Sequence, residues 1–254
     1  VYALQLRQMT KAVEGAALCV AFSHSNGERA QELCPMVRGK LRCIPQAVDV
    51  GGAQAFNLRG ALGLDGAARV VLLPTGLRRV KDPTFVVEAM AAWHEEDPSV
   101  HLVVCGAELE PGFAEQARAA LTGRRGIHFV GPLSRSVLLS AMRQADVVLN
   151  TSVSEGMCGA LMEAMAVGTP VLARRNAGNR SLITHGINGF LFDTPAEFRQ
   201  LAQRLLDSPG SAQLLRQHAR GRIEREHSVE REKFQYLGVA ASLGEDRFFS
   251  AVAR

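Results

Sequence analysis

Between residues 69 and 173 the chain repeats one pattern, a short continuous apolar run followed by a stretch with helical spacing. The runs are Arg69–Pro74, Val100–Cys105, Ile127–Val130, Asp146–Asn150 and Val171–Ala173. They do not alternate apolar with polar residues, so strands built from them must be covered on both faces. Between them, Asp82-Pro83 predicts a helix with Asp82 as N-cap and Pro83 at the first helical position. Its inner face is Phe85, Val86, Ala89, Met90 and Trp93. Further helices are expected over 112–121 and 134–144. Asn188-Gly189 turns into a strand at Phe190–Phe192, and Thr194-Pro195-Ala196-Glu197 is a capping box starting a helix toward Leu206. Strand–helix alternation of this kind requires an α/β fold with a parallel sheet flanked by helices. Ligands of such sheets lie beyond the carboxyl ends of the strands. The loops to read are therefore 75–81, 106–108, 131–132 and 151–159.

The flanks differ. Residues 1–48 predict a helix over Val1–Val13, a buried strand over Ala17–Phe22, a helix over Glu28–Leu33 and a strand over Leu41–Pro45. That is too little for a domain and reads as the end of one. The chain opens with Val1 instead of Met, as expected of a segment of a longer or processed protein. Gly51-Gly52 opens a linker over 51–66, and residues 209–240 read as mostly helical. The 254 residues are 47% apolar, enough for a substantial core. No apolar run spans a bilayer and no secretory signal pattern is present. Cys19, Cys34, Cys43, Cys105 and Cys158 include no C-x-x-C pair, which argues against a disulfide framework or a zinc site. Free thiols in a reducing, cytoplasmic compartment are the expectation. The net charge of +4 comes largely from late arginines such as Arg216, Arg220 and Arg231, interleaved with Glu224, Glu230 and Glu232. That spacing suits solvated helix faces, and no aromatic-interleaved basic stripe points to a nucleic-acid partner.

The chemistry concentrates in Ser154–Pro170. Glu155 precedes an Ala-, Leu- and Met-rich helix and Glu163 lies within it; Gly156 and Gly159 sit at its start, and Gly168-Thr169-Pro170 closes it. A helix start has unpaired N–H groups and a favourable dipole for an anion. A glycine-assisted turn without ligand fits the same residues. In the loop after the first strand, Arg78, Arg79 and Lys81 follow Gly76 and suit a diphosphate, although an exposed basic loop is also consistent. Carboxylates repel phosphate but accept hydrogen bonds from hydroxyls. Glu155 and Glu163 therefore fit two polyols on either side of a diphosphate, a ribose and a transferred sugar.

These residues resemble family 4 retaining glycosyltransferases of the GT-B fold. The resemblance rests on E-x7-E, here Glu155 and Glu163, and on Glu163-Ala-Met-Ala-Val-Gly-Thr-Pro170. It extends through Lys40–Asp49, Asp146–Ser152, His185–Leu191 and His227–Leu237. It implies a Rossmann-like GT-B donor domain over 67–222, preceded by a remnant (1–50) of the acceptor-side N-terminal domain and the linker (51–66). Residues 223–254 would form C-terminal helices packing back toward the N-terminal domain. It implies transfer of a hexose from a UDP- or GDP-linked sugar to an unidentified acceptor, with retention, no metal and no cofactor beyond the donor. Front-face attack, with the leaving phosphate helping to deprotonate the acceptor, is the implied course.

The implied catalytic residues are Glu155, facing the donor sugar, and Arg78 and Lys81, neutralising the leaving diphosphate. Glu163 would bind the ribose. Gly156, Met157, Cys158 and Gly159 would touch sugar and diphosphate through the backbone. Gly76 and Arg79 belong to the phosphate loop, and Gly131 to Leu133 would contact the base. The basic loop is one residue shorter than the family's, so Arg78 and Arg79 compete for the arginine role. The second glycine of the E-G-F-G pattern is displaced to Gly159, leaving Cys158 as either a packing residue or a low-pKa thiol. Neither His24 nor any other histidine matches the N-terminal domain's catalytic residues. A nucleotide-sugar-binding module, or an inactive truncated form, is the alternative to an enzyme. A dinucleotide dehydrogenase is set aside because Pro74-Thr-Gly-Leu-Arg-Arg79 lacks G-x-G-x-x-G.

Overall fold

The computed structural model describes residues 2–244. Val1 and residues 245–254, the end of the expected C-terminal helices, lie outside them. Contacts divide the chain into two compact units, Val1–Ala47 with Glu226–Arg254, and Val48–Arg225.

The first unit holds α1 (Tyr2–Gly15), β1 (Cys19–Ala21), α2 (His24–Leu33), β2 (Leu41–Cys43) and α11 (Val229–Ser242). The two strands pair in parallel, Cys19 opposite Leu41 and Ala21 opposite Cys43. The strand expected over Ala17–Phe22 is shorter and only partly covered: Phe22 is exposed and only Ala21 is buried. Helix α2 starts earlier than predicted because the Ser23 hydroxyl accepts from the Asn26 N–H. His227 Nδ1 lies 2.8 Å from the carbonyl of Gln46.

The second unit contains α3 (Leu58–Ala61), β3 (Arg69–Pro74), α4 (Val87–Glu96), β4 (Val100–Cys105), α5 (Pro111–Leu121), β5 (Ile127–Phe129) and α6 (Arg135–Gln144). These are followed by β6 (Val147–Asn150), α7 (Gly159–Val167), β7 (Val171–Arg174), α8 (Ala177–Leu182), β8 (Phe190–Phe192) and α9 (Pro195–Asp207); α10 (Pro209–Glu226) runs to its end. Strands β3 to β8 form one parallel sheet in the order β5-β4-β3-β6-β7-β8. Counted from β3, this is the doubly wound 3-2-1-4-5-6 order, whose direction reverses between β3 and β6.

The sheet has the two buried faces that its apolar runs require. Val71, Leu73, Leu102 and Val104 face one cluster with α4, α5 and α9, while Val70, Leu72, Val103 and Val148 face another with α6, α7 and α8. Each fully buried aliphatic side chain of this kind contributes about 1.5–3 kcal/mol.

Three local outcomes differ from the sequence expectations. Asp82 does not cap a helix at Pro83: it adopts a left-handed conformation (φ 44°), residues 83–86 form turns, and α4 begins at Val87. The reason is a distant partner, since the Asp82 carboxylate accepts from Arg174 Nη1 at 2.7 Å. Residues 51–66 are fastened to the sheet unit. The Gln144 side chain accepts from Leu58 N–H at 3.0 Å and donates to the Phe56 carbonyl, and Arg59 pairs with Asp146 at 2.8 Å. The sequence also gave no warning of α8, which the Asn176 side chain caps by accepting from Asn179 N–H.

Candidate active site

The reversal of strand order between β3 and β6 places the loops after these strands side by side. The backbone of Val153 donates to the Val80 carbonyl at 2.9 Å, and the Thr151 hydroxyl donates to the Lys81 carbonyl at 2.9 Å. A 3-10 turn over Arg79–Lys81 ends at Asp82, the only non-glycine residue with positive φ among the described residues. Such a backbone costs of order 1–3 kcal/mol and persists where the surroundings hold it. Here Arg174 holds it through the Asp82 ion pair, with its guanidinium 3.9 Å over the Phe85 ring. This corner delivers Lys81 to the center of the site.

Lys81 Nζ contacts Glu155 Oε1 at 2.5 Å. The same oxygen accepts from the Ser152 hydroxyl at 2.7 Å and from Asn150 Nδ2 at 3.0 Å. Both partners of the ion pair are largely enclosed, with side-chain exposures of 18% and 8%. Burial pushes the Glu155 pKa up, but the donors from Lys81, Ser152 and Asn150 outweigh it, and the carboxyl is held below its usual range. Glu155 is therefore an ionised carboxylate at neutral pH, with one oxygen saturated by donors.

Helix α7 starts next to this cluster. Cys158 is its N-cap and provides no side-chain cap, and the helix closes on Gly168 in the left-handed conformation (φ 86°) that Gly tolerates. At Gly159 an added Cβ would meet nothing within 4 Å, so no neighbour inside the chain demands glycine there. Open space over the first turn of a helix that no side chain caps suits an approaching anion. Gly156 is exposed and Met157 packs partly into the cluster beneath α6 and α7. The thiol of Cys158 is not activated: burial first, and then the Glu155 charge, push its pKa up to about 12. It is a packing residue, 5% exposed.

Glu163 lies on α7 with its side chain 17% exposed, paired with Arg135 at 3.1 Å. Arg135, the first residue of α6, also donates to the Asp49 carbonyl. Among the described residues the two glutamates have different polar partners, Arg135 for Glu163 and Lys81, Ser152 and Asn150 for Glu155.

The basic loop separates its arginines. Arg79 is taken up by Glu110, which receives both its side chain and its N–H at 2.9 Å, and by the Phe113 ring 5.3 Å away. Arg78 is exposed and has no ion-pair partner among the described residues. Gly76 packs where an added Cβ would crowd Leu109, and Gly106, after β4, would drive a Cβ into the carbonyl of Thr75. Gly131 (φ 69°) follows β5 and accepts from Gly106 N–H at 2.8 Å; Leu133 is partly buried against the second cluster.

Sequence reasoning gave no role to Asn150, Ser152, Arg174, Asn176, Gly178 or Asn179. Gly178 lets the start of α8 press on the backbone of Glu155, where any Cβ would overlap its carbonyl. Asn176 Nδ2 donates to the Ser152 carbonyl at 2.9 Å. The available signal was the polar triplet Asn150-Thr151-Ser152 ending an otherwise apolar strand. Among the described residues no helix is long and apolar enough to cross a membrane. No group of three or more His, Cys, Asp or Glu among them is arranged to hold a metal ion.

Residues 55–222 match the family model "Glycosyl transferases group 1". The chain is 34% identical over 243 residues to "Glycosyltransferase 1 domain-containing protein 1" of Xenopus tropicalis, covering 93% of this chain and 70% of the frog protein. It is 31% identical over 144 residues to "D-inositol 3-phosphate glycosyltransferase" of Corynebacterium urealyticum, covering 54% of this chain and 34% of that one. Among solved structures it resembles Anabaena HepE in complex with UDP and glucose, with a TM-score of 0.79, 22% identity, and coverage of 93% of this chain and 66% of that one. The chain thus spans from about a third to 70% of the length of these relatives. Its fold, a parallel sheet flanked by helices, matches that of GT-B glycosyltransferases.

Proposed function

The chain belongs to the group 1 glycosyltransferase family, and from that premise we propose that it transfers a hexose from a nucleoside-diphosphate sugar to an acceptor hydroxyl, with retention of configuration. One observation carries the reading. At the reversal of strand order, the enclosed Lys81–Glu155 pair stands beside the first turn of α7, which no side chain caps. A cation, a fixed carboxylate and the N–H groups of a helix start are the donors and acceptors that a sugar diphosphate needs. HepE, the Anabaena neighbour, is in complex with UDP and glucose, which supports a UDP-linked donor; a GDP-linked donor uses the same groups.

In this reading Lys81, Arg78 and the start of α7 receive the diphosphate. The bond between the anomeric carbon and the β-phosphate oxygen breaks, and the electron pair leaves with the phosphate. The acceptor oxygen bonds to the same face of the anomeric carbon and its proton passes to the departing phosphate oxygen. Stabilising charge that develops on the leaving group is commonly the largest electrostatic contribution. The free carboxylate oxygen of Glu155 accepts from sugar hydroxyls. Glu163, oriented by Arg135, accepts from the ribose. Gly131 to Leu133 line the base. Arg78 takes the arginine role because Arg79 is committed to Glu110. With these cations in place the leaving group needs no metal, so turnover should survive EDTA. The acceptor is a hydroxyl-bearing molecule.

A nucleotide-sugar-binding module without turnover is the second reading, favoured by a site whose groups all address the donor. Thermal shift with UDP- and GDP-linked sugars tests both. At about 100 times its dissociation constant, a donor stabilises by roughly 2.7 kcal/mol. Absence of any shift across the panel eliminates both readings, and a shift without transfer or donor hydrolysis selects the module.

A further inference from the structure

Asn179 is fully buried, and its amide is turned by two acceptors. Its Nδ2 donates to the Arg174 carbonyl and to Asn150 Oδ1, each at 2.8 Å. These bonds use both amide hydrogens. Rotating the amide would set its oxygen against two oxygens, so its orientation is fixed by the network. The cost stays visible, because Asn179 Oδ1 is buried without a partner. An asparagine serving only to fill space has no reason to sustain an orphan acceptor; leucine would pack there without one.

The consequence runs through Asn150. Its Oδ1 is held by Asn179 and by the Ser152 N–H at 3.2 Å. With the oxygen end fixed, the Nδ2 end must face the other way, where it donates to Glu155 Oε1 at 3.0 Å. Asn176 secures the same loop from the start of α8, and Gly178 allows the close approach. We propose that Asn179 is a positioning residue, which sets the orientation of the Asn150 amide and through it the aim of the Glu155 carboxylate. The proposal rests on the reading of Glu155 as the carboxylate facing the donor sugar.

If Asn179 loses its amide, Asn150 Oδ1 keeps only the longer bond from the Ser152 N–H, and the amide is less restrained from presenting its oxygen to Glu155. Two acceptors then face each other, and the ionised carboxylate loses a donor while Lys81 and Ser152 remain. The other titratable or charged groups packed around it are Cys158 at the start of α7 and the Arg174–Asp82 pair beyond Thr151.

Carbon-13 carboxylate titration by NMR reads this directly, with the Glu155 resonance assigned through Glu155→Gln. In folded Asn179→Leu, Glu155 should titrate at higher pH than in the wild type. With UDP-glucose or GDP-mannose as donor, kcat should fall about 10- to 100-fold while KM changes less than about twofold. Asn179→Ala provides the same reading if the leucine variant does not fold. Asn176→Ala removes the bond to the Ser152 carbonyl and the cap on the Asn179 N–H but leaves both Asn179 side-chain bonds, so it should lower Tm without moving the Glu155 titration. An unchanged Glu155 titration in a folded Asn179 variant overturns the proposal, as does a matching shift in Asn176→Ala. If the wild type binds no nucleotide sugar, the functional reading fails while the titration still decides the positioning role.

Discussion

Replacing Lys81 with methionine tests the core of the site. Methionine keeps most of the apolar stem and removes the charge that meets Glu155 at 2.5 Å. Removing one partner of a fully buried ion pair costs about 3–5 kcal/mol, and one hydrogen bond to a charged group contributes about 1.5–3 kcal/mol. Here the pair is enclosed but not sealed, at 18% and 8% exposure, and Glu155 keeps Ser152 and Asn150. The expected loss is therefore about 2–3 kcal/mol, which for a chain of this size lowers Tm by roughly 4–12 °C. The pH dependence carries the sign. In the wild type the Glu155 pKa is lowered, so its contribution is present above the unfolded value of about 4.3 and is lost as pH falls through the folded value. In Lys81→Met the folded pKa rises toward the unfolded value, so the stabilisation that ionised Glu155 gives the wild type at neutral pH is lost. The gap between variant and wild type should narrow from pH 7 toward pH 4, as Glu155 becomes protonated. Urea melts at the two pH values, in a cycle with Glu155→Gln and the double variant, measure it. A coupling energy near zero, or a gap that widens on acidification, refutes the assigned pair.

Three further outcomes follow from the geometry. Arg78→Ala should weaken nucleoside-diphosphate binding by about tenfold or more, whereas Arg79→Ala, which loses an exposed pair with Glu110, should change it less than about threefold by calorimetry; the reverse order reassigns the phosphate arginine. Glu163→Ala should abolish the thermal shift with a nucleotide sugar, and a retained shift would remove the ribose from Glu163. Gly106→Ala must relieve an overlap with the Thr75 carbonyl by moving backbone between β3 and β4; a loss of about 3 kcal/mol or more in urea melts is expected, and a loss below about 1 kcal/mol contradicts the close approach.

The sheet was legible because its strands are buried on both faces and their composition says so. Arg69–Pro74 and Val100–Cys105 were read at the bounds the structure has. Elements that depend on remote partners were not. Asp82-Pro83 has the local form of a helix start, but Arg174, in another strand, turns Asp82 into a left-handed corner. Helix α8 has few apolar residues to set a period; it is held by the Asn176 cap and by the contact that Gly178 permits. The site divides in the same way. Glu155, Lys81 and the start of α7 were identifiable from residue type and position. The difference between Arg78 and Arg79 was not, because it lies in Glu110, which pairs with Arg79 from beyond β4. Asn150 and Asn179 carry no motif; their importance lies in which atom of each amide faces which neighbour.

That placement bears on how a site of this kind can work. If Lys81 receives a diphosphate, it must loosen its hold on Glu155, and a carboxylate released inside a largely enclosed site would tend to take up a proton. Ser152 and Asn150 answer that problem, since both donate to Glu155 and neither carries the charge for which a diphosphate competes. They keep one oxygen of Glu155 supplied with donors while Lys81 moves toward the phosphate. The other oxygen is left to accept from the sugar. In this arrangement Lys81 is the part exchanged on binding, and the Ser152–Asn150–Asn179 chain is the part that holds. The separation accounts for a cluster in which one carboxylate oxygen has three donors although two would satisfy it.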